Sequence, residues 1–484
     1  MKLKIQIVKE FSKNDSLVVI SKTAEQLLTT AKKSLAKEEL MYLKKKSDDT
    51  KKGFIKVNRL NQHLYFYVIG SGKKTEHLVR EDLRKMGCQL VTLADELKLG
   101  DITLVSEGTT AKEILAFVEG VALSAYQFLK YKSKASESEH RLKTLKICSK
   151  SVNEKQLQQL LALTEAVHRC RDFVNEPVCK LNSTLFAKQV SELFKNTEAR
   201  VEIFNKSKIE ALKMNGLLAV NSGSIDPPAF IIIEWNPPRP VNKKPYVFVG
   251  KGIMYDTGGI NVKSAANMET MKDDMAGGAA VVAALYAITQ AKLPVHVVGL
   301  VPVTDNRPSG NSLVPGDIIN YADGTSVEVL NSDAEGRLIL ADALIYAKKY
   351  KPQLVITLAT LTGAAQAAIG SFGMVGMEQK SPQEFKEIVA AGNEVFERVV
   401  EFPFWEDYDE LIKSDIADIK NTGGRFAGAI TAGKFLAHFT RYPFIHLDIA
   451  GPAYNEKKDS YRGAGGSGVG VRLLYEFMER KTKK

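Results

Sequence analysis

Cysteine is scarce in this chain. Only Cys88, Cys148, Cys170 and Cys179 occur among 484 residues, and none forms a CxxC pair. A disulfide scaffold is therefore not what holds the fold, and scattered thiols fit a reducing compartment. A secretory leader is not apparent either. The apolar run in MKLKIQIVKEF is short and is cut off by Lys9 and Glu10. No stretch reads as a membrane span. Residues 352–377 carry no charge, but Pro352, Gln353, Gln366, several threonines and four glycines between Gly363 and Gly376 interrupt them. Spanning needs about 20 continuously apolar residues. We expect a buried strand over Leu354–Leu361 followed by a glycine-rich loop, and a cytoplasmic protein with no membrane partner. The seven histidines are scattered with no HExxH pair, and the chain has no internal repeat or low-complexity tract.

What is present is ordinary in amount and uneven in distribution. Hydrophobic residues make up 44% and charged residues 25%, enough for a core of normal size. The length suggests two or three domains. The net charge is +11. Residues 1–150 contain 29 Lys+Arg against 18 Asp+Glu, whereas residues 151–484 contain 38 of each. The excess thus lies entirely in the first third, which supports a boundary near 150. Two readings of that basic segment stand: a lysine-rich solubilising face, or a contact with nucleic acid or another acidic surface.

Strand-like runs at Leu3–Val8, Leu17–Ile20, Phe54–Val57, Leu64–Ile69 and Ile102–Val105 alternate with helical patterns at Glu76–Met86 and about Ala111–Leu129. Residues 1–150 are therefore an α/β domain, basic and without a glycine fingerprint or a catalytic cluster. A helix over 153–174 connects it onward, in a linker of 151–178 ended by Pro177. Asn182 and Ser183 read as the cap of the next helix. From 179 to 484 the strands lengthen into near-continuous apolar runs: Ala229–Glu234, Tyr246–Gly250, Val295–Val303, Leu354–Leu361 and Phe444–Ile449. Such runs suit strands covered on both faces. The expected fold is α/β, with a smaller N-terminal domain and a larger catalytic domain built on a mixed, mostly parallel sheet flanked by helices. In such sheets chemistry collects at the carboxyl ends of the strands.

Three segments follow these strands and set charged residues beside glycines. VGKGIMYDTGGINVK (249–263) holds Lys251, Asp256 and Lys263. METMKDDMAGGAA (268–280) places Asp273 and Asp274 before a small-residue helix. NSDAEGRL (331–338) holds Asp333, Glu335 and Arg337. Asp256, Asp274, Asp333 and Glu335 are four acidic candidates, which would repel one another in a low-dielectric site. Divalent cations resolve such repulsion, and two of them about 3.5–4 Å apart activate one water. Taken singly, each segment has a plainer reading. An Asp beside glycines is commonly a turn residue, and DAEGR also suits the start of a helix.

Taken together, the three segments resemble the leucine aminopeptidase family, also called cytosol aminopeptidases. NSDAEGRL is similar to that family's NTDAEGRL signature, with Ser332 in place of Thr. ATLTGA (359–364), KNTGGRFAGAITAGKFL (420–436) and HLDIAG (446–451) extend the resemblance over about 170–484. It implies a metal-dependent aminopeptidase that releases N-terminal residues, Leu and other apolar ones foremost, by attack of a metal-bridging water. The ions would be Zn²⁺ or Mn²⁺, with Mg²⁺ as a third candidate. Asp256 and Glu335 would bridge them. Asp333 would complete one site with its own carbonyl, and Lys251 and Asp274 the other. Asp274 is preferred over Asp273, which is expected to be a solvated surface acid. Lys251 can ligate only as a neutral amine, which an adjacent dication must enforce. Without metal it is expected to pair with Asp256.

By the same resemblance Lys263 would polarise the scissile carbonyl, and Arg337 would hold a bicarbonate ion as general base, its planar fork suiting that anion. Met271, Thr360, Gly363, Ala450 and Ala453 would line a first-residue pocket, with Leu361 offering its backbone. Met271 and the alanines also read as ordinary core. A free coordination position would accept the α-amine found only at a peptide N-terminus. Short peptides are the expected substrates and a homohexamer the expected assembly. His446 is given a structural role. Tyr255 for Phe and Thr257 for Ser are mild departures. Two other readings remain: a DNA-binding role, alongside the peptidase activity, through the basic first domain, and a two-metal phosphatase or nuclease.

Overall fold

The computed structural model describes residues 3–47, 53–59, 61–70 and 74–483. The chain divides into two compact units: Met1–Thr164 with Asp459–Gly463, and Glu165–Lys458 with Ala464–Lys484. The helix Glu154–Asn175 runs through the division.

The first unit is a six-stranded sheet. From one edge its strands are Lys4–Ile7, Thr144–Cys148, Asp101–Glu107, Leu17–Ser21, Gln62–Val68 and Ile55–Arg59. Every pairing is parallel except the last. Alternate residues of a strand point to opposite faces, and the strand Leu17–Ser21 illustrates it. Val18 and Ile20 join one apolar core with the helices Glu76–Glu96 and Ala111–Ser124. Leu17 and Val19 join a second core with the helices Ala24–Ala31 and Lys37–Lys46. The helix beginning at Glu76 runs past the expected Met86 because its apolar stripe continues through Leu90, Val91, Leu93 and Ala94, all buried. The helix from Ala111 starts on a reciprocal cap, Thr110 with Glu113, and ends at Ser124 rather than at 129.

The second unit carries a mixed sheet ordered Val399–Glu401, Met374–Gln379, Phe444–Asp448, Leu354–Ala359, Tyr246–Gly250, Val297–Asn306, Ala229–Trp235 and Arg200–Phe204. The four central strands, from Phe444–Asp448 to Val297–Asn306, are parallel. All four are buried along their whole length, as their unbroken apolar sequences require. Helices Glu335–Ala347 and Gly428–His438 cover one face. Helix Ala276–Gln290 crosses the same strands and meets Val471–Lys481, which packs on Pro382–Val395. One expectation fails here. Residues 363–377 are not a loop. Thr362 accepts the Ala365 N–H and caps a helix over Gly363–Ile369, rich in alanine, before the strand Met374–Gln379.

The run after Gly250 sets up the site. The ladder with Val297–Asn306 stops between Val249↔Leu300 and Gly252↔Val303, then resumes with the strand Gly252–Asp256. Lys251 occupies the gap. Its N–H goes to Leu358 O at 3.1 Å, and its carbonyl accepts the Gly278 N–H at 2.7 Å. Helix Ala276–Gln290 comes this near because Gly277 has no side chain. A Cβ there would lie 2.1 Å from Leu358 O.

Candidate functional site

The parallel strands end together, and their carboxyl ends carry the charged residues. Lys251 follows one strand, Asp256 closes the next run, Thr360 follows Leu354–Ala359, and Asp448 ends Phe444–Asp448. Three further segments converge on them. The short helix Met271–Met275 brings Asp274, the turn before Glu335–Ala347 brings Asp333, and the helix itself opens with Glu335. Oxygens of Asp256, Asp333 and Glu335 lie within 4.8 Å of one another, an arrangement able to hold a cation.

Two lysines run through this group. Lys251, 3% exposed, places Nζ 2.7 Å from Asp274 Oδ1 and 2.8 Å from Glu335 Oε1, and donates to Thr360 O at 3.0 Å. Gly336 makes room for it, since a Cβ there would sit 2.5 Å from Lys251 Cε. Lys263 lies 2.8 Å from Asp256 Oδ2 and also pairs with Asp333. Lys251 therefore pairs with Asp274 and Glu335, not with Asp256 as expected; Asp256 is engaged by Lys263 instead. Asp256 Oδ1 further accepts the Gly258 N–H and Asn306 Nδ2, each at 2.8 Å.

Four carboxylates thus face two ammonium groups, so negative charge is left over when all are ionised. Burial, reinforced by Glu335, pushes Asp256 up to about 7. Burial raises Asp274 well above the usual range and raises Asp333 too. Burial also raises Glu335, but Lys251 and Lys263 outweigh it and hold that carboxyl low. Burial opposes the charge on Lys251, yet Asp274, Glu335 and Asp256 prevail and raise its pKa. Lys263 is raised in the same way, chiefly by Asp256 against its own burial. Two buried oxygens, Asp274 Oδ2 and Glu335 Oε2, have no hydrogen-bond partner among the described residues. Buried polar atoms are rarely left so without a reason. A surplus of buried carboxylate with oxygens left open is the donor set a divalent cation uses, so the residues present fit such an ion.

Arg337 lies beside this group, buried, on the first turn of Glu335–Ala347. Its Nη1 donates to Asn421 O at 2.7 Å, while Nε has no partner among the described residues. Burial, opposed by Glu335 and Asp448, lowers it to about 10.

The residues named for a first-residue pocket distribute as follows. Thr360 joins the group directly, its hydroxyl donating to Asp274 Oδ1 at 2.8 Å. Met271 opens the short helix that bears Asp274. Leu361 and Ala450 each give a backbone N–H to Asp448. Gly363 is exposed at the start of its helix, and Ala453 is buried in the turn after Ile449. Asp273 is not the solvated acid expected. It is half-buried, and burial, opposed by Lys251, raises it to about 7. His446 is fully buried against the Thr357 hydroxyl at 2.8 Å, and burial with Arg337 nearby depresses it to about 3.

Three supporting residues escaped the sequence. Asn306 ties Asp256 to Ser332 O, and nothing in its surrounding sequence marks it. Asn421, in KNTGG, accepts the Leu330 and Asn331 N–H groups and so shapes the turn before Asp333. Asp448, in HLDIAG, is fully buried and raised by burial to about 6, despite accepting from Thr362, Ala450 and Leu361. Both of the latter sat inside segments already singled out. For Asp448 a charged residue ending an otherwise largely apolar, buried strand was the available signal, while Asn421 follows the short strand Ile419–Lys420 and offered none.

Comparison with known proteins gives a consistent result. Residues 168–475 match the model for the catalytic domain of the cytosol aminopeptidase family, and residues 18–135 match its N-terminal domain. A probable cytosol aminopeptidase of Chlorobaculum tepidum is 41% identical over 438 residues, covering 85% of each chain. Among solved structures, a mutant of tomato leucine aminopeptidase superposes with a TM-score of 0.85 at 26% identity, covering 99% of this chain and 97% of that one. The bottromycin maturation enzyme BotP in complex with Mn does so with a TM-score of 0.83 at 27% identity, covering 96% and 99%.

Proposed function

The chain belongs to the cytosol aminopeptidase family and is a leucyl aminopeptidase-type hydrolase, and on that premise we propose that it uses two divalent metal ions to remove apolar first residues from short peptides. The observation that carries this reading is the meeting of Lys251, Asp256, Asp274, Asp333 and Glu335 at the strand ends, with buried oxygens left open. Asp256, Asp274, Asp333, Glu335 and Lys251 would hold the ions, the four carboxylates supplying oxygens and Lys251 its amine nitrogen. Carboxylate oxygens with one amine nitrogen suit Zn²⁺ or Mn²⁺, and Mg²⁺ less well. When bound, such a pair supplies a water that is nucleophilic near neutral pH and polarises a peptide carbonyl.

The chain's own residues do the rest. Lys251 must release its proton to act as a ligand, reversing the raised pKa that its carboxylate neighbours impose. Lys263 keeps its proton. Freed from Asp256 and Asp333, its ammonium steadies negative charge on the former carbonyl oxygen. Arg337, with Nε open, holds a bicarbonate ion as general base. Met271, Thr360, Gly363, Ala450 and Ala453 bound the space for the first side chain, and Leu361 offers backbone to the substrate. These residues are small or apolar, which favours Leu or Met over charged first residues.

The relatives are named for the cytosol, which supports a cytoplasmic setting; no helix among the described residues is long and apolar enough to cross a membrane. We further assign a homohexamer, which light scattering checks. DNA contact through residues 1–150 ranks second, supported by their charge alone; retention on filters that fell steeply with salt would identify it. The decisive assay compares Leu-p-nitroanilide with p-nitrophenyl phosphate in the presence of Mn²⁺ or Zn²⁺. Release from the anilide alone is expected. Release from the phosphate alone would replace the peptidase with a phosphatase.

A further inference from the structure

The parallel ladder between Leu354–Ala359 and Phe444–Asp448 ends at the pair Ala359↔Asp448. One more backbone bond follows, Ile449 N–H to Ala359 O at 2.8 Å. Beyond it the two chains part, one into the turn 360–362 and the other into 450–453. A single side chain reaches both. Asp448 Oδ1 accepts the Leu361 N–H at 3.2 Å and the Ala450 N–H at 3.1 Å, and Oδ2 accepts the Thr362 hydroxyl at 2.7 Å. The same hydroxyl oxygen accepts the Ala365 N–H at 3.1 Å and so caps the helix Gly363–Ile369. The turn is anchored at its other end on the charged cluster. There the Thr360 carbonyl accepts from Lys251 Nζ, and its hydroxyl donates to Asp274.

Burying a carboxylate is costly unless its bonds and charge partners offset the loss of water. A strand end that only had to close a core would carry an apolar residue, as Phe444 does at the other end of the same strand and on the same face. What the carboxylate gains here is control over two segments that no ladder holds together.

We propose that Asp448 is a positioning residue for the first-residue pocket. It holds the segment bearing Thr360, Leu361 and Gly363 in register with the segment bearing Ala450 and Ala453, and so sets how tightly the pocket grips the first side chain. This rests on the proposed aminopeptidase reading for which residues line the pocket. Among the described residues Asp448 makes no hydrogen bond to the metal-ligand candidates or to Lys263, but its charge acts on Lys251 and Arg337. The Thr362 variants leave that charge in place, so in them the loss should fall on binding and selectivity rather than on the chemical step.

The test compares Asp448→Asn, Thr362→Val and Thr362→Ser in the full metal-loaded protein, with Leu-, Met- and Ala-p-nitroanilide as substrates. Asp448→Asn keeps the shape and the acceptor for the two N–H groups but takes away the acceptor for the Thr362 hydroxyl. Thr362→Val removes that donor, and Thr362→Ser restores it. The expected result is a rise of roughly tenfold in KM for the Leu substrate in Asp448→Asn and Thr362→Val. The Leu-to-Ala ratio of kcat/KM should fall severalfold, with kcat and metal content close to wild type in Thr362→Val, and Thr362→Ser should behave as wild type. Wild-type KM and selectivity in folded Asp448→Asn and Thr362→Val overturn the proposal. A uniform loss of kcat, metal and thermal stability that Thr362→Ser does not spare overturns it as well. Should Asp448→Asn fail to fold, the Thr362 pair decides alone. A wild-type enzyme that binds two ions yet cleaves no N-terminal residue rejects the aminopeptidase reading itself, and this inference falls with it.

Discussion

The two units share an architecture and differ in how they treat charge. Both rest on largely parallel sheets with helices on each side. In the first unit the surplus is positive and lies outside. The charges that are buried there are matched, with Arg84 2.6 Å from Glu119 and Arg462 3.3 Å from Glu81. In the second unit net charge is balanced along the sequence but concentrated inside, where four carboxylates outnumber two lysines. Evolved cores avoid that arrangement unless something else is bound. The difference teaches where function lies. It follows not the total charge but the unit whose buried charges do not balance.

Several substitutions sharpen or break this contrast. The largest effect is expected from Glu335→Ala or Asp333→Ala, which should abolish Leu-p-nitroanilide hydrolysis, a loss on the order of a thousandfold or more, and lower metal content by elemental analysis. Retained metal and activity in either variant would remove the basis of the contrast. Next come Lys263→Ala and Arg337→Ala, expected to cut kcat by roughly a hundredfold or more with both ions still bound. Loss of both metals from Arg337→Ala would show that its assigned role is wrong.

A smaller effect concerns acid stability. His446 titrates at about 3 in the fold but near ~6.5 in an unfolded chain. The unfolded state therefore binds the proton first. The stability tied to neutral His446 is complete above about pH 6.5 and is lost as pH falls from there through 3. His446→Asn should flatten the fall of Tm over that window, by up to a few kcal/mol of stability at its acid end. A slope unchanged from wild type contradicts this. The smallest effect belongs to the first unit. Lys112→Ala and Lys150→Ala, both exposed, should leave kcat/KM within about twofold.

Much of this was legible in the sequence because it rests on pattern. Unbroken apolar runs such as Tyr246–Gly250 announced buried parallel strands, and charged residues directly after them announced the strand-end site. Asn182 was readable as a cap from its own chemistry. What was not legible depends on which residues meet in space. Lys251 and Lys263 each had acids nearby in sequence, yet their partners come from segments up to 84 residues away: Lys251 with Glu335, and Lys263 with Asp333 70 residues on. Asp273 and Asp274 are neighbours with nearly the same local chemistry. Only the short helix Met271–Met275 turns one of them onto Lys251. The glycines of 363–376 pointed to a loop, but a threonine cap and four alanines outweighed them.

The central claim is that the unbalanced carboxylates of the second unit exist to hold two cations that serve peptide hydrolysis. Titrating Mn²⁺ or Zn²⁺ into chelated protein, with bound metal counted and Leu-p-nitroanilide turnover followed in parallel, tests it most directly. The account predicts two ions per chain, with activity returning as they bind and neither appearing in Glu335→Ala. A wild-type chain that takes up no divalent ion in excess metal, or that fills both positions and still leaves the substrate intact, contradicts it.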